Sequence, residues 1–100
     1  MSVTAPSAEE AGALGRMAVA SRLAACAQVS GPITSTYRWE GEVTQASEWL
    51  CTMKTTSDRL DALMVATRAA HSYEVPEIVA TAITAGDAAY LAWIEESTRP

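Results

Sequence analysis

The stretch "AQVSGPITSTYRWEGEVTQASEWLCTMKTT", residues 27–56, decides the fold. It is rich in Val, Ile, Thr, Tyr and Trp, and its apolar residues show no 3.6-residue repeat, so it suits strand rather than helix. Glu40-Gly41 near its middle reads as a two-residue turn between antiparallel strands. If Trp39 faces Glu42, the same register carried inward puts Cys51 opposite Ser30 and leaves Cys26 about four residues further along. At ~3.3 Å per residue that offset is roughly 13 Å, beyond the reach of a disulfide. The register predicts two free thiols.

Each strand of this hairpin can run for about ten residues or more, whereas strands of a small sheet usually take about five or six. Half of the hairpin therefore projects beyond the helices that cover the sheet. That half carries Tyr37, Trp39 and Val43, with Trp49 further down, and the two-residue alternation places Tyr37 and Trp39 on one face. Left in water, such side chains forfeit roughly 1.5–3 kcal/mol each and present an aromatic edge ready to pair. The expectation is a partner subunit.

Outward from the hairpin, helices and strands alternate. On the N-terminal side "SAEE" forms a capping box with Ser7 as N-cap and Glu10 at N3, and Pro6 precedes it. Leu14, Met17 and Ala18 mark one helical face as far as about Leu23, and "MSVTA" leaves room for a stub of strand. On the C-terminal side Thr56 or Ser57 caps a second helix whose Leu60, Leu63, Met64 and Thr67 share a face to about Ala70. Pro76 forces Val75 out of the helical region, and "EIVATAIT", residues 77–84, is β-branched enough for a strand. Gly86-Asp87 gives a loop and an N-cap, and Tyr90, Leu91 and Ile94 mark a last helix. The order predicts an α+β fold, a ferredoxin-like βαββαβ sandwich with a C-terminal helix, as one domain over residues 1–100.

Composition narrows the function. Apolar residues make up 49% and charged residues 19% of the chain, a globular balance. Twelve acidic against seven basic residues give a net charge of −5, which disfavours a phosphate-tracking surface and hence nucleic acid. The start "MSVTAPSAEE" lacks a signal-peptide pattern and no apolar run spans a bilayer, so neither membrane insertion nor export is expected. Two cysteines outside any C-x-x-C pair suit a reduced, cytoplasmic protein.

Candidate chemistry gathers in "AAHSYEVPEI", residues 69–78, which holds the sole histidine, His71, near Glu74 and Glu77. One imidazole and nearby carboxylates suit a divalent cation such as copper or zinc, with His71 and Glu74 as the candidate ligands. The competing reading places His71 at a helix C-terminus, interacting with terminal carbonyls and the macrodipole. Arg38, between two aromatics and next to Glu40, suggests a stacked guanidinium with an ion pair or a subunit contact. Lys54 and Arg59 flank a helix start where a small anion could sit. The residues show no nucleophile with base and orienting group, so no catalytic activity and no organic cofactor are expected.

"TAPS", "RLAAC", "SxYRWEG" (residues 35–41), "KTT", "HxYEVPEI" (residues 71–78) and "YLAWIEES", in this order over nearly the whole chain, resemble the CutA family of divalent-cation tolerance proteins. The resemblance implies a ferredoxin-like fold similar to PII signalling proteins, a very stable homotrimer built through edge-strand pairing, and a role in tolerance to copper and other divalent metals. It implies no established catalytic activity. Some bacterial members carry a cysteine directly before "TAP" and a His-His pair, proposed as copper ligands. Here Val3 and Ala70 replace two of these, so only His71 carries over. A PII-like scaffold holding a small anion or partner in intersubunit clefts is the alternative.

Overall fold

Two long strands, β2 (Cys26–Trp39) and β3 (Glu42–Lys54), dominate the computed structural model, which describes residues 1–100. They are joined by Glu40 and Gly41, both at positive φ (51° and 81°). A two-residue loop with both residues left-handed matches the right-handed twist of the strands, and glycine takes such a conformation without steric cost. The rest of the chain is β1 (Ser2–Ala5), α1 (Ala8–Ala20), α2 (Ser57–Ala70), β4 (Ile78–Val79) and α3 (Ala88–Ser97). The sheet order is β2-β3-β1-β4, with every neighbouring pair antiparallel, as the ferredoxin-like expectation requires.

α1 lies across β1, β2 and β3, and α2 packs beside it. Ala11, Leu14 and Ala18 of α1 meet Val3, Ala5, Cys51, Met53 and Leu63 in the core. The N-terminal cap of α1 forms as expected, since Ser7 Oγ accepts from the Glu10 N–H at 3.1 Å. The reciprocal half of the capping box does not, because the Glu10 carboxylate turns instead to Ser72. Asp87 caps α3 through the Tyr90 N–H, and Arg22 holds the far end of α3 by donating to the carbonyls of Glu96 and Arg99. No helix is long and apolar enough to cross a membrane.

Two expectations need correction. The hairpin keeps the expected register from Trp39↔Glu42 to Ile33↔Glu48, then slips by one residue, so that Cys51 faces Val29 rather than Ser30. The slip is a bulge at Gly31-Pro32, where proline has no N–H for the ladder and Gly31 lies so close to Trp49 that a Cβ would stand 2.7 Å from its ring. Both cysteines are still free. The last strand was expected over 77–84, yet only Ile78 and Val79 pair, with Val3 and Ser2. β1 has four residues and offers no more ladder, so composition alone does not make residues 80–84 a strand.

The hairpin shapes the whole molecule. Its principal extents are 45 × 26 × 21 Å, and fourteen residues of β2 at ~3.3 Å each account for the longest. Tyr37, Trp39 and Val43 near the tip are 42%, 51% and 67% exposed. Trp49, by contrast, packs against the chain's own core.

Candidate functional site

The turn after α2 closes against the hairpin. His71 ends α2 as its C-cap in extended conformation, and its side chain is fully buried. Its Nε2 lies 2.7 Å from the Thr4 carbonyl of β1, while the Tyr73 N–H donates to Nδ1 at 3.0 Å. The ring thus donates through Nε2 and accepts through Nδ1, clamping the turn to β1. Glu10 Oε2 stands 3.4 Å from Nδ1 and accepts from both the Ser72 N–H and hydroxyl. The expected contact of His71 with its own helix's terminal carbonyls is replaced by one reaching 67 residues back.

Tyr73 is stacked obliquely on His71, with ring centres 4.9 Å apart, and its hydroxyl donates to Glu48 Oε2 at 3.0 Å. Glu48 is only 7% exposed. Because β2 and β3 pair as Ile33↔Glu48 and Trp39↔Glu42, Glu48, Tyr37 and Trp39 share one face of the hairpin. Between this face and the turn lies a cleft of about 720 Å³. Glu48, Glu74 and Glu77 supply its charge, Tyr37, Trp39 and Tyr73 its aromatic walls, and no Lys or Arg lines it. Burial first, then the hydrogen bond to Glu48 and that carboxylate's charge, push the Tyr73 phenol up to about 12.

The candidate ligands separate here. Glu74 lines the cleft, whereas the His71 ring is buried behind the turn with both nitrogens engaged by the backbone. No three His, Cys, Asp or Glu side chains converge as a metal-holding group. Glu48 escaped the reading of the sequence, although the alternation that puts Tyr37 and Trp39 on one face also puts Glu48 there. Arg38 falls on the opposite face of β2 from those aromatics and forms no ion pair with Glu40, which removes the stacked ion pair and leaves the subunit contact as its other reading. Lys54 and Arg59 do not converge either: Lys54 Nζ donates to Gln28 at 2.6 Å, and Arg59 Nε reaches the Arg22 carbonyl at 3.4 Å. Lys54 lines a second cleft of about 650 Å³ between β3, the start of α2 and residues 80–83. Cys51 is buried, which pushes its thiol pKa up, and Cys26 Sγ sits 3.4 Å from the Tyr90 hydroxyl.

Known proteins are similar to this chain in sequence and shape. Residues 1–97 match the family described as "CutA1 divalent ion tolerance protein". The divalent-cation tolerance protein CutA of Thermus thermophilus is 43% identical over 96 residues, covering 96% of this chain and 93% of that protein. A chloroplastic CutA protein of Arabidopsis thaliana is 41% identical over 97 residues, and there the match spans 97% of this chain but about half of the relative, 53%. A solved Thermus thermophilus structure of a divalent cation tolerance protein superposes with a TM-score of 0.95 at 42% identity, covering 98% of this chain and 95% of that one. A structure from Archaeoglobus fulgidus, named as a periplasmic divalent cation tolerance protein, gives 0.94 at 36%, with 98% and 95% covered. Matches of this extent show that the chain belongs to the CutA1 family of divalent ion tolerance proteins.

Proposed function

We propose that this protein serves divalent-cation tolerance as a homotrimer, with a weak contact for copper or another divalent ion at the rim of the acidic cleft. Glu74 carries that contact, and His71 completes it only by exchanging one of its backbone hydrogen bonds for the metal. The observation that supports the reading is a cleft lined by three carboxylates and no cationic side chain, which favours cations of any kind. Fewer than three convergent donors make the affinity low. Two unpaired thiols suit a reducing, cytoplasmic setting, and the reading includes no catalysis and no organic cofactor.

Titration with copper and zinc in a buffer free of chelating salts tests it. Glu74→Gln should weaken binding about three- to tenfold, the loss expected for one charged ligand. His71→Ala should weaken it too; metal affinity untouched by both substitutions removes the metal contact from the proposal. His71→Ala also orphans the Thr4 carbonyl and the Tyr73 N–H, so the milder Glu74→Gln is the cleaner variant. The alternative, a PII-like scaffold for a small anion, draws on Lys54 in the second cleft, and saturable binding of inorganic phosphate lost in Lys54→Ala would favour it.

A further inference from the structure

We infer that in the homotrimer, a reading on which this step rests, the cleft between the hairpin and the turn after α2 receives the hairpin tip of the next copy, with that copy's Arg38 as its cation. The two faces of the hairpin differ in charge. On one, Trp39 stands opposite Glu42 and Ile33 opposite Glu48. This is the cleft side, where Glu74 and Glu77 add to the acidity and no Lys or Arg is present. On the other, Arg38 pairs with Val43 and Thr36 with Gln45, the latter two joined by a side-chain hydrogen bond of 3.3 Å. From the Thr34↔Ser47 pair to the tip, Arg38 is the only charged residue on that face. It is exposed, and neither Arg38 nor Glu48 forms an ion pair within the chain.

A threefold ring requires two such surfaces. Its interfaces are heterologous, so each copy offers one patch to the copy ahead and a different patch to the copy behind. Seating one hairpin tip in the next cleft covers Val43, 67% exposed, on one side and Tyr37 and Trp39 on the other. A planar guanidinium suits that socket, because it stacks on aromatic rings while its N–H groups reach carboxylates. Arg38 lies five residues nearer the tip than Ile33, the partner of Glu48, an offset of roughly 16 Å at ~3.3 Å per residue. A two-stranded ribbon twists strongly over such a length. The two patches are therefore turned out of strict opposition, which permits a closed ring rather than an open stack. One guanidinium against three carboxylates leaves the rim negative, so the metal contact at Glu74 and this contact coexist.

Light scattering on the full chain, diluted in urea with a chelator present, gives the concentration at which the trimer is half dissociated, and far-UV circular dichroism checks that each variant is folded. Arg38→Gln and Glu48→Gln should each raise that midpoint at least about tenfold, the loss expected when one partner of a buried charge pair is removed. Glutamine still accepts from Tyr73, so Glu48→Gln keeps the chain's own hydrogen bond. The double variant should dissociate near the same concentration as either single one, because the two side chains act as one contact. Added salt should raise the wild-type midpoint and move that of Arg38→Gln much less. A monomeric wild type would remove the homotrimer reading and this contact with it. A trimeric wild type whose midpoint Arg38→Gln leaves unmoved, or single effects that multiply in the double variant, would overturn the contact alone and leave the trimer standing.

Discussion

A single hydroxyl links the two walls of the cleft. Tyr73 donates to Glu48 across 25 residues, and burial, that hydrogen bond and the carboxylate charge together push the phenol up to about 12. In an unfolded chain a tyrosine titrates near about 10. Between about pH 10 and about pH 12 the folded chain therefore keeps a proton that the unfolded chain has lost, and stability falls as pH rises through that window. The difference between the alkaline absorbance titrations of the wild type and Tyr73→Phe should show one phenol with a midpoint near about 12. Glu48→Gln should move that midpoint downward, because both the acceptor and the negative charge weaken; a midpoint at the ordinary tyrosine value in the wild type would break the coupling. At this scale the sequence is only partly legible. Glu74 on the cleft rim could be picked out from "HSYEVPEI", but the burial of Glu48 depends on a tyrosine brought over it by the whole fold. His71 likewise owes its role to the Thr4 carbonyl, which no local pattern connects to it.

Elements were more readable than residues where local sequence sets geometry, and less so where pairing does. Glu40-Gly41 announces the hairpin turn because only a left-handed pair closes it, and the turn residues stand where expected. Residues 80–84 look like strand by composition yet have no ladder to join beyond the short β1. The bulge at Gly31-Pro32 is a third case, set by the packing of a distant ring. A Cβ on Gly31 would stand 2.7 and 2.8 Å from Trp49 ring carbons and 3.2 Å from the Glu48 carbonyl oxygen, contacts that neither a ring locked against the core nor a ladder carbonyl relieves cheaply. Gly31→Ala should therefore cost about 1–3 kcal/mol, lowering the thermal midpoint by at least about 4 °C, as followed by circular dichroism. A variant that melts with the wild type would mean that the bulge relaxes freely.

On the scale of the molecule, the surface is too large for the mass. The chain exposes 6256 Å², against about 5,500 Å² for a compact monomer of 10.6 kDa. Its radius of gyration, 14.2 Å, also exceeds the ~13 Å expected for this length. The excess of roughly 750 Å² is close to the ~800 Å² that one partner contributes to a standard interface, and Tyr37, Trp39 and Val43 at the hairpin tip stand in solvent. With 16 of 100 residues buried, the isolated chain has a small core, so association should carry much of the stability. Mass action then makes a definite statement: the thermal midpoint of a homotrimer rises with protein concentration, whereas that of a monomer does not. Light scattering should give about three times the chain mass, and Trp39→Glu, placing a charge on a half-exposed tip residue outside the buried core, should lower both the mass and the concentration dependence. Wild-type protein that stays at 10.6 kDa with a constant midpoint over a hundredfold range would show instead that the hairpin tip is stable in water, and the trimer would have to be abandoned.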